Sequence, residues 1–185
     1  FKLTKEELLE FQKCSTDIVY FVTKYCRFMT DAGRTTVDLR KFQKEILGEL
    51  AEEEYKKILD DMGPVARDYI LMASRQTGKT TTISAFFSWY LCFHTDRKLE
   101  IHANRQNTAT QIVAKVKDVF RGLPFFLKPG IINAAAMGMK LDNGCQLLSQ
   151  ATTKTAQIGF TIHVLYADEF AHIPTNIVGD FWRSV

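Results

Sequence analysis

The sequence lacks the features of a membrane protein, a zinc protein or a disulfide-stapled protein. It has no apolar run long enough to cross a bilayer, and no signal peptide is recognisable. Its four cysteines are widely scattered and form no metal-ligand or redox pair, and its four histidines show no zinc spacing. We therefore expect reduced, mostly buried thiols, as in an intracellular protein, and no contact with a membrane.

A strong charge of one sign is also missing. The net charge of +3 is too small to indicate nucleic-acid binding by itself. With 185 residues, 46% of them hydrophobic, the chain can bury one sizeable core. We expect an N-terminal helical segment over residues 1–36 and an α/β core over residues 37–185.

The most informative segment is 73–80, with the sequence Ala-Ser-Arg-Gln-Thr-Gly-Lys-Thr. A short apolar segment at 68–72 predicts a strand before it, and helical periodicity follows it. Strand, glycine-containing loop and helix occur in the order that a phosphate-binding loop requires. Backbone N–H groups would surround a β-phosphate, Lys79 would reach the β- and γ-phosphates, and the Thr80 hydroxyl would bind Mg²⁺. One departure is Ala73, where the usual pattern has glycine.

The helix that follows this loop is predicted to bury one face, formed by Ile83, Phe86, Phe87, Tyr90 and Leu91. Further along the chain, the apolar segment 162–169 ends in Asp168 and Glu169, which is the form of a Walker B strand. A buried parallel strand would carry both carboxylates to the sheet edge where the phosphate-binding loop lies. Asp168 would hold Mg²⁺, and Glu169 would orient and deprotonate the attacking water, a role worth about 10²–10⁴ in rate.

Local patterns predict the remaining elements. Thr4 and Glu7 form a capping box for an N-terminal helix that ends at a turn near Gly33, and Asp38 is a candidate N-cap for a second helix. A strand is expected at 98–103, a helix at 108–121, a loop at 123–130, and a hairpin at 137–148 around Asp142-Asn143-Gly144. Helices between strands indicate an α/β fold with a parallel sheet and one antiparallel excursion.

With these motifs in place, the chain resembles the N-terminal ATPase domain of tailed-bacteriophage large terminases, the motors that pump DNA into procapsids. Four segments carry the resemblance: 74–81, 123–131, 141–144 and 165–174. It implies a P-loop NTPase fold of the ASCE or RecA-like kind, with a mainly parallel central sheet flanked by helices. It also implies that Arg75 acts as an arginine finger beside the catalytic Glu169, and that Thr80 and Asp168 hold the metal.

The resemblance implies further binding residues. Gln43, which could give both a donor and an acceptor to an adenine edge, resembles the adenine-reading glutamine of the family. The implied ATP-binding residues are Gln43, Ser74, Arg75, Gln76, Thr77, Gly78, Lys79, Thr80 and Thr81. Relatives often carry Arg-Gly ahead of Walker B, where this chain has Ile158-Gly159, which leaves open whether the arginine finger is Arg75 or comes from a neighbouring subunit.

ATP and Mg²⁺ are the implied cofactors, and double-stranded DNA, the portal protein of the procapsid and the small terminase subunit are the implied partners. The family would act as a homo-oligomeric ring in the host cytoplasm, docked transiently on the portal and absent from the mature virion. A coupling motif, a lid subdomain and a DNA-cleaving nuclease domain are expected beyond these residues. Two alternatives remain open from the sequence: a superfamily 2 helicase-type ATPase, and a nucleotide-binding module that hydrolyses nothing.

Overall fold

The fold is α/β, with a five-stranded sheet and helices α4 and α5 on one of its faces. The computed structural model describes residues 2–31, 33–59, 68–74, 76–152 and 161–184. The helices are α1 (Lys5–Thr16), α2 (Ile18–Tyr25), α3 (Lys41–Leu59), α4 (Lys79–Phe93), α5 (Gln106–Gly122) and α6 (Thr175–Ser184). The strands are β1 (Arg27–Thr30), β2 (Gly33–Thr36), β3 (Lys98–Ala103), β4 (Ile131–Ala135), β5 (Gly138–Leu141), β6 (Gln146–Ala151) and β7 (Val164–Asp168).

The five-stranded sheet has the order β4-β5-β6-β3-β7. Strand β3 pairs in parallel with β6 and β7, whereas β5 pairs antiparallel with both β4 and β6. The prediction of a mainly parallel sheet is therefore wrong, because the sheet is mixed. The hairpin around Asn143 is confirmed, but β4 was not predicted, and it adds a second antiparallel pairing. All five residues of β4 are exposed, so the strand has no buried face for periodicity to reveal.

Helix α4 is the centre of the hydrophobic core. Every residue from Thr82 to Cys92 is buried. The prediction that α4 buries only one face is therefore wrong, because its residues are buried on all sides. Helices α2, α3 and α5 contact α4, and Phe87 of α4 meets Tyr166 of β7. A helix that is apolar on all sides has to be enclosed by its neighbours, as this one is.

The direction of α4 follows from the hairpin turn. Nδ2 of Asn143 donates to the carbonyls of Leu91 and His94, at 2.9 Å each, and these groups belong to the last turn and the cap of α4. The turn lies just before β6 begins, at the amino edge of the parallel strands. Helix α4 is about 22 Å long at 1.5 Å per residue, close to the length of strands such as β3 and β7. Its N-terminus therefore points to the carboxyl edge, where Ala103, Ala151 and Asp168 end their strands.

Helix α5 packs against the same face of the sheet and largely confirms its prediction. Its predicted inward residues are buried: Ile112, Val113, Val116, Val119 and Phe120. At its first residue, the Gln106 amide donates to the Ser149 carbonyl at 3.1 Å and accepts from the Ala151 N–H at 2.8 Å. These bonds attach the start of α5 to the carboxyl end of β6.

The N-terminal segment packs against the end of α4. The Thr4–Glu7 capping box is confirmed, with hydrogen bonds of 2.7 and 3.2 Å. Asp17 divides the predicted single helix into α1 and α2, because its carboxylate accepts from the Tyr20 N–H at 2.8 Å and starts a new helix. The Trp89 indole donates to the Cys14 carbonyl at 3.0 Å, so the two helices and α4 share one core. Strands β1 and β2, which were not predicted, form a separate hairpin.

Two further predictions differ from the structure. Helix α3 begins at Lys41, so Asp38 is not its N-cap; instead the Arg40 N–H donates to Oε1 of Gln43 at 2.9 Å. The segment 68–72 forms no strand, and its Ile70 and Met72 side chains are 88% and 89% exposed. A short apolar segment becomes a strand only where a neighbouring strand supplies hydrogen bonds, and the structure pairs none of its described strands with 68–72.

The four cysteines are all buried and unpaired, as expected from their scatter. Burial raises the pKa of the Cys14 thiol to about 12, so this group stays protonated near neutral pH. No helix within the described ranges is both long and apolar enough to span a membrane.

Candidate functional site

The segment around Gly78 forms a tight turn that leads directly into α4. Gly78 is the residue before the helix and has a φ of 90°, in the left-handed region that glycine adopts without strain. Gln76 also lies in this region, with a φ of 61°, and a side chain there costs about 1–2 kcal/mol. The Thr77 hydroxyl donates to the Ser74 carbonyl at 2.9 Å. One hydrogen bond within the turn and left-handed backbone at Gln76 and Gly78 therefore define its described part.

Lys79, the first residue of α4, folds back over this turn. Its Nζ donates to the Ala73 carbonyl at 3.1 Å, and the side chain is half-buried. The ammonium group is therefore held beside the loop. Thr80 and Thr81 follow in the first turn of α4 and are also half-buried. The positive end of the helix dipole and the lysine charge coincide here, which favours an anion.

Gln43, in the first turn of α3, lies against the backbone of Gly78. It is 3% exposed, and its Nε2 donates to Oγ1 of Thr82 at 3.0 Å. Nε2 also lies 3.5 Å from the Gly78 carbonyl, and a Cβ added to Gly78 would stand only 2.7 Å from it. The structure therefore places Gln43 against the loop, in contact with its backbone rather than at an open surface.

Asp168 ends β7 at the carboxyl edge of the sheet. It lies beside Ala103 of β3 in the parallel register, and Tyr166 on the same strand donates its hydroxyl to Oδ1 at 2.8 Å. The Tyr166 ring meets Phe87 of α4 edge to face, with ring centroids 6.4 Å apart. Burial, followed by the nearby Asp168 charge, raises the pKa of the Tyr166 hydroxyl, so it remains a donor at neutral pH.

Glu169 occupies the turn that leaves β7. Its φ is 51° and ψ is 40°, and its side chain is exposed. In the described chain the non-glycine residues with positive φ are Gln76, Asp96 and Glu169. Two of the three therefore lie in the segments predicted to bind and hydrolyse a nucleotide. Left-handed backbone at non-glycine residues costs stability and occurs preferentially at functional sites.

Two contacts relate α4 to the edge of the sheet where β7 ends. The last turn and cap of α4 accept hydrogen bonds from Asn143, and Phe87 in the middle of the helix meets Tyr166, two residues before Asp168. Arg75 and the Ile158-Gly159 pair lie outside the described residues, so their predicted roles stay predictions. No cluster of three or more metal-binding side chains occurs in the described part of the chain.

Sequence reasoning missed two contributors to this arrangement. Tyr166 was treated only as part of an apolar strand, although its position two residues before Asp168 puts both side chains on the same face of β7. Thr82 was not considered at all. Its position four residues after Gly78, on the same side of the helix, was the available signal.

These features define an α/β protein with a mixed sheet, a Gly-Lys-Thr loop that leads into α4, and a strand β7 that ends in a carboxylate. A model of the family described as "Terminase large subunit, T4likevirus-type, N-terminal" matches residues 70–185, which is more than half of the chain. The chain therefore belongs to this family, as the resemblance of its motifs indicated. Membership connects it with phage DNA packaging, with DNA and the packaging machinery as partners in general terms, and with an enzymatic role.

Proposed function

We propose that this chain is the ATP-hydrolysing part of a DNA-packaging motor. The observation that carries the proposal is the direction of α4, which points Lys79 to the edge where β7 ends in Asp168 and Glu169. A phosphate chain bound by the loop would then lie between a cation and two carboxylates. This is the arrangement that phosphoryl transfer to water requires: positioning combined with charge stabilisation.

Each of these residues has a separate role in the proposed reaction. Backbone N–H groups of residues 74–81 and the Lys79 ammonium bind the phosphates. The Thr80 hydroxyl and the Asp168 carboxylate are the hard oxygen ligands that Mg²⁺ prefers, and a carboxylate can accept a tyrosine hydrogen bond and still bind a metal. The ion neutralises charge on the β- and γ-phosphates when bound. Glu169 accepts a proton from the attacking water.

Arg75 is the proposed arginine finger, which would contact the γ-phosphate. An arginine placed on the γ-phosphate accelerates hydrolysis by about 10³–10⁵, or roughly 4–7 kcal/mol of transition-state stabilisation. Arg75→Ala should therefore reduce turnover far more than ATP affinity. If mutant subunits recover hydrolysis at their own sites when mixed with wild-type subunits, the finger is supplied by a neighbour.

Hydrolysis in such a motor would be coupled to movement of double-stranded DNA into a procapsid. Family membership supports this step in general terms, and the net charge of +3 neither supports nor opposes it. The expected assembly is a ring of identical subunits on the portal, with the small terminase subunit as a further partner. Cleavage of concatemeric DNA would belong to the nuclease domain expected beyond these residues.

The direct test compares Lys79→Ala with Lys115→Ala. Lys115 is an exposed lysine on α5 that takes no part in the proposed site, so it controls for loss of one positive charge. Lys79→Ala should abolish detectable ATP binding and turnover of the full-length protein, measured by calorimetry and phosphate release, whereas Lys115→Ala should retain both. Normal turnover in Lys79→Ala would overturn the assignment of the phosphate-binding loop.

The packaging step needs a second measurement. Full-length protein, procapsids bearing portal and linear double-stranded DNA are combined with ATP, and nuclease-protected DNA is scored in the same tubes as phosphate release. Hydrolysis accompanied by protected DNA supports the packaging motor. Turnover stimulated by single strands without protection would instead favour the helicase-type alternative.

A further inference from the structure

Gln43 connects the start of α3 to the loop before α4 through a chain of hydrogen bonds. The Arg40 N–H donates to Oε1 of Gln43 at 2.9 Å. Nε2 of Gln43 donates to Oγ1 of Thr82 at 3.0 Å, and that hydroxyl donates to the Gly78 carbonyl at 3.1 Å. Each group gives the hydrogen that the next one accepts, so the chain ends on the residue directly before Lys79.

The orientation of the Gln43 amide is determined by these neighbours. A backbone N–H can only donate, so the side of the amide facing Arg40 has to be the oxygen. The nitrogen then faces Thr82, whose single hydroxyl proton is used toward Gly78. The three bonds are therefore mutually consistent, and reversing the amide would break two of them.

This geometry does not suit an adenine-reading side chain. An amide that reads adenine turns one donor and one acceptor toward the base edge. In the structure the Gln43 oxygen faces a helix N-terminus, its nitrogen faces α4, and the side chain is only 3% exposed. Almost none of its surface is presented to a ligand.

The geometry points to Gln43 as a positioning residue that holds Gly78, and through it Lys79, in the form that binds phosphate. This inference rests on the proposed nucleotide site and assigns the glutamine to the phosphate end of the ligand instead of its base. The contact is close enough that a Cβ at Gly78 would stand 2.7 Å from Nε2 of Gln43, so the end of the Gln43 side chain would have to move.

The test uses two substitutions that break the link at different points. Gln43→Glu keeps the oxygen that accepts from Arg40 and removes the donor to Thr82. Thr82→Val keeps the branched shape of a residue that is 1% exposed and removes the hydroxyl. Affinities of the full-length protein for ATP and for inorganic tripolyphosphate, which has no base, are measured by calorimetry, together with the melting temperature.

We expect each variant to weaken ATP and tripolyphosphate binding by the same factor, about tenfold, which corresponds to about 1.4 kcal/mol. The double variant should bind no worse than either single one, because both changes remove the same link. Tyr90→Phe is the matched control: the Tyr90 hydroxyl also links α4 to α3, through a bond of 3.0 Å to Oε2 of Glu54, but it lies about two helical turns further from the loop. It should lower the melting temperature and leave both affinities within twofold.

Three results would overturn the inference. A loss confined to ATP, with tripolyphosphate unaffected, would assign Gln43 to the base. If both affinities were unchanged and only the melting temperature fell, as expected for the control, Gln43 would contribute to stability but not to phosphate binding. Wild-type protein that binds neither ligand would overturn the nucleotide site itself, and that failure is distinct from the first two because it appears before any substitution is made.

Discussion

The Tyr166 hydroxyl and the Asp168 carboxylate are joined by a hydrogen bond of 2.8 Å on one face of β7. The bond links the end of the strand to its interior, where the tyrosine ring packs against Phe87. It restricts the orientation of the carboxylate that is proposed to hold Mg²⁺. Groups that orient a metal ligand in this way typically affect metal affinity by about 10- to 100-fold.

Tyr166→Phe is therefore expected to raise the Mg²⁺ concentration needed for half-maximal ATP hydrolysis by about tenfold. The ring and its contact with Phe87 remain, so the helix should keep its place. The measurement is turnover of the full-length protein as a function of Mg²⁺ at saturating ATP.

Tyr90→Phe provides the control for this substitution. The Tyr90 hydroxyl is buried and donates to Oε2 of Glu54 at 3.0 Å, within α3 and α4 but away from the sheet edge. Removing it should cost about 1–3 kcal/mol of stability without changing the Mg²⁺ dependence. Equal Mg²⁺ dependence in the two variants would show that Tyr166 contributes packing only.

Glu169→Gln tests the proposed base. The substitution preserves shape and the ability to occupy the turn at a φ of 51°, but removes the charge that accepts a proton. Turnover should fall by about 10²–10⁴, while ATP affinity changes little. Single-turnover hydrolysis and calorimetry separate the two quantities, and loss of ATP binding would indicate a structural role instead.

Gly78→Ala tests the backbone of the loop. A side chain at a φ of 90° is strained, and its Cβ would lie 2.7 Å from Nε2 of Gln43. We expect about 1–2 kcal/mol loss of stability from the backbone term alone and a large loss of ATP affinity. In a Gln43→Ala background the clash is relieved and only the backbone term remains, so the added cost of Gly78→Ala should be smaller there. The same cost in both backgrounds would show that Gln43 does not constrain Gly78.

Glu10→Gln tests the junction between α1 and α2. Oε1 of Glu10 accepts from Nζ of Lys24 at 2.8 Å and from the hydroxyls of Tyr25 and Tyr20 at 2.7 and 3.0 Å. The bond from Lys24 above all, followed by that from Tyr25, lowers the pKa of Glu10 from 4.5 to about 2. Because the folded pKa lies below the unfolded one, this stabilisation is complete above pH 4.5 and is lost as the pH falls toward 2.

At pH 7 the free energy of unfolding of Glu10→Gln, measured in urea, should therefore be about 1–2 kcal/mol lower than that of wild type. This figure already allows for the partial exposure of Glu10 and its partners to solvent. The difference from wild type should shrink between pH 4.5 and 2. Glu45→Gln is the control. The Glu45 side chain is 57% exposed, and its ion pair with the exposed Lys41 is long, at 3.8 Å, so it should contribute little to stability. An equal effect of both substitutions at pH 7 would mean that the half-buried tyrosine hydroxyls bonded to Glu10 contribute nothing to stability.

Short-range chemistry explains where sequence reasoning succeeded. The Thr4–Glu7 capping box, the Asn143-Gly144 turn and the apolar face of α5 depend on residues within one or two turns of each other. Such patterns depend on neighbouring residues and need no distant contact, so they can be recognised in the sequence. The same holds for the composition of the segment 73–80 and for the adjacent carboxylates Asp168 and Glu169.

Only the tertiary structure decided how the elements combine. Strand β4 exists because β5 supplies its hydrogen bonds. The segment 68–72 also has four apolar residues of five, but it has no described strand partner and stays irregular. Helix α4 is buried on every side because distant segments enclose it. Gln43, which the family resemblance assigned to a base, lies against Gly78, a residue 35 positions further along the chain. The sequence by itself determined which groups have the chemistry for a nucleotide site, and non-local packing determined what each of them touches.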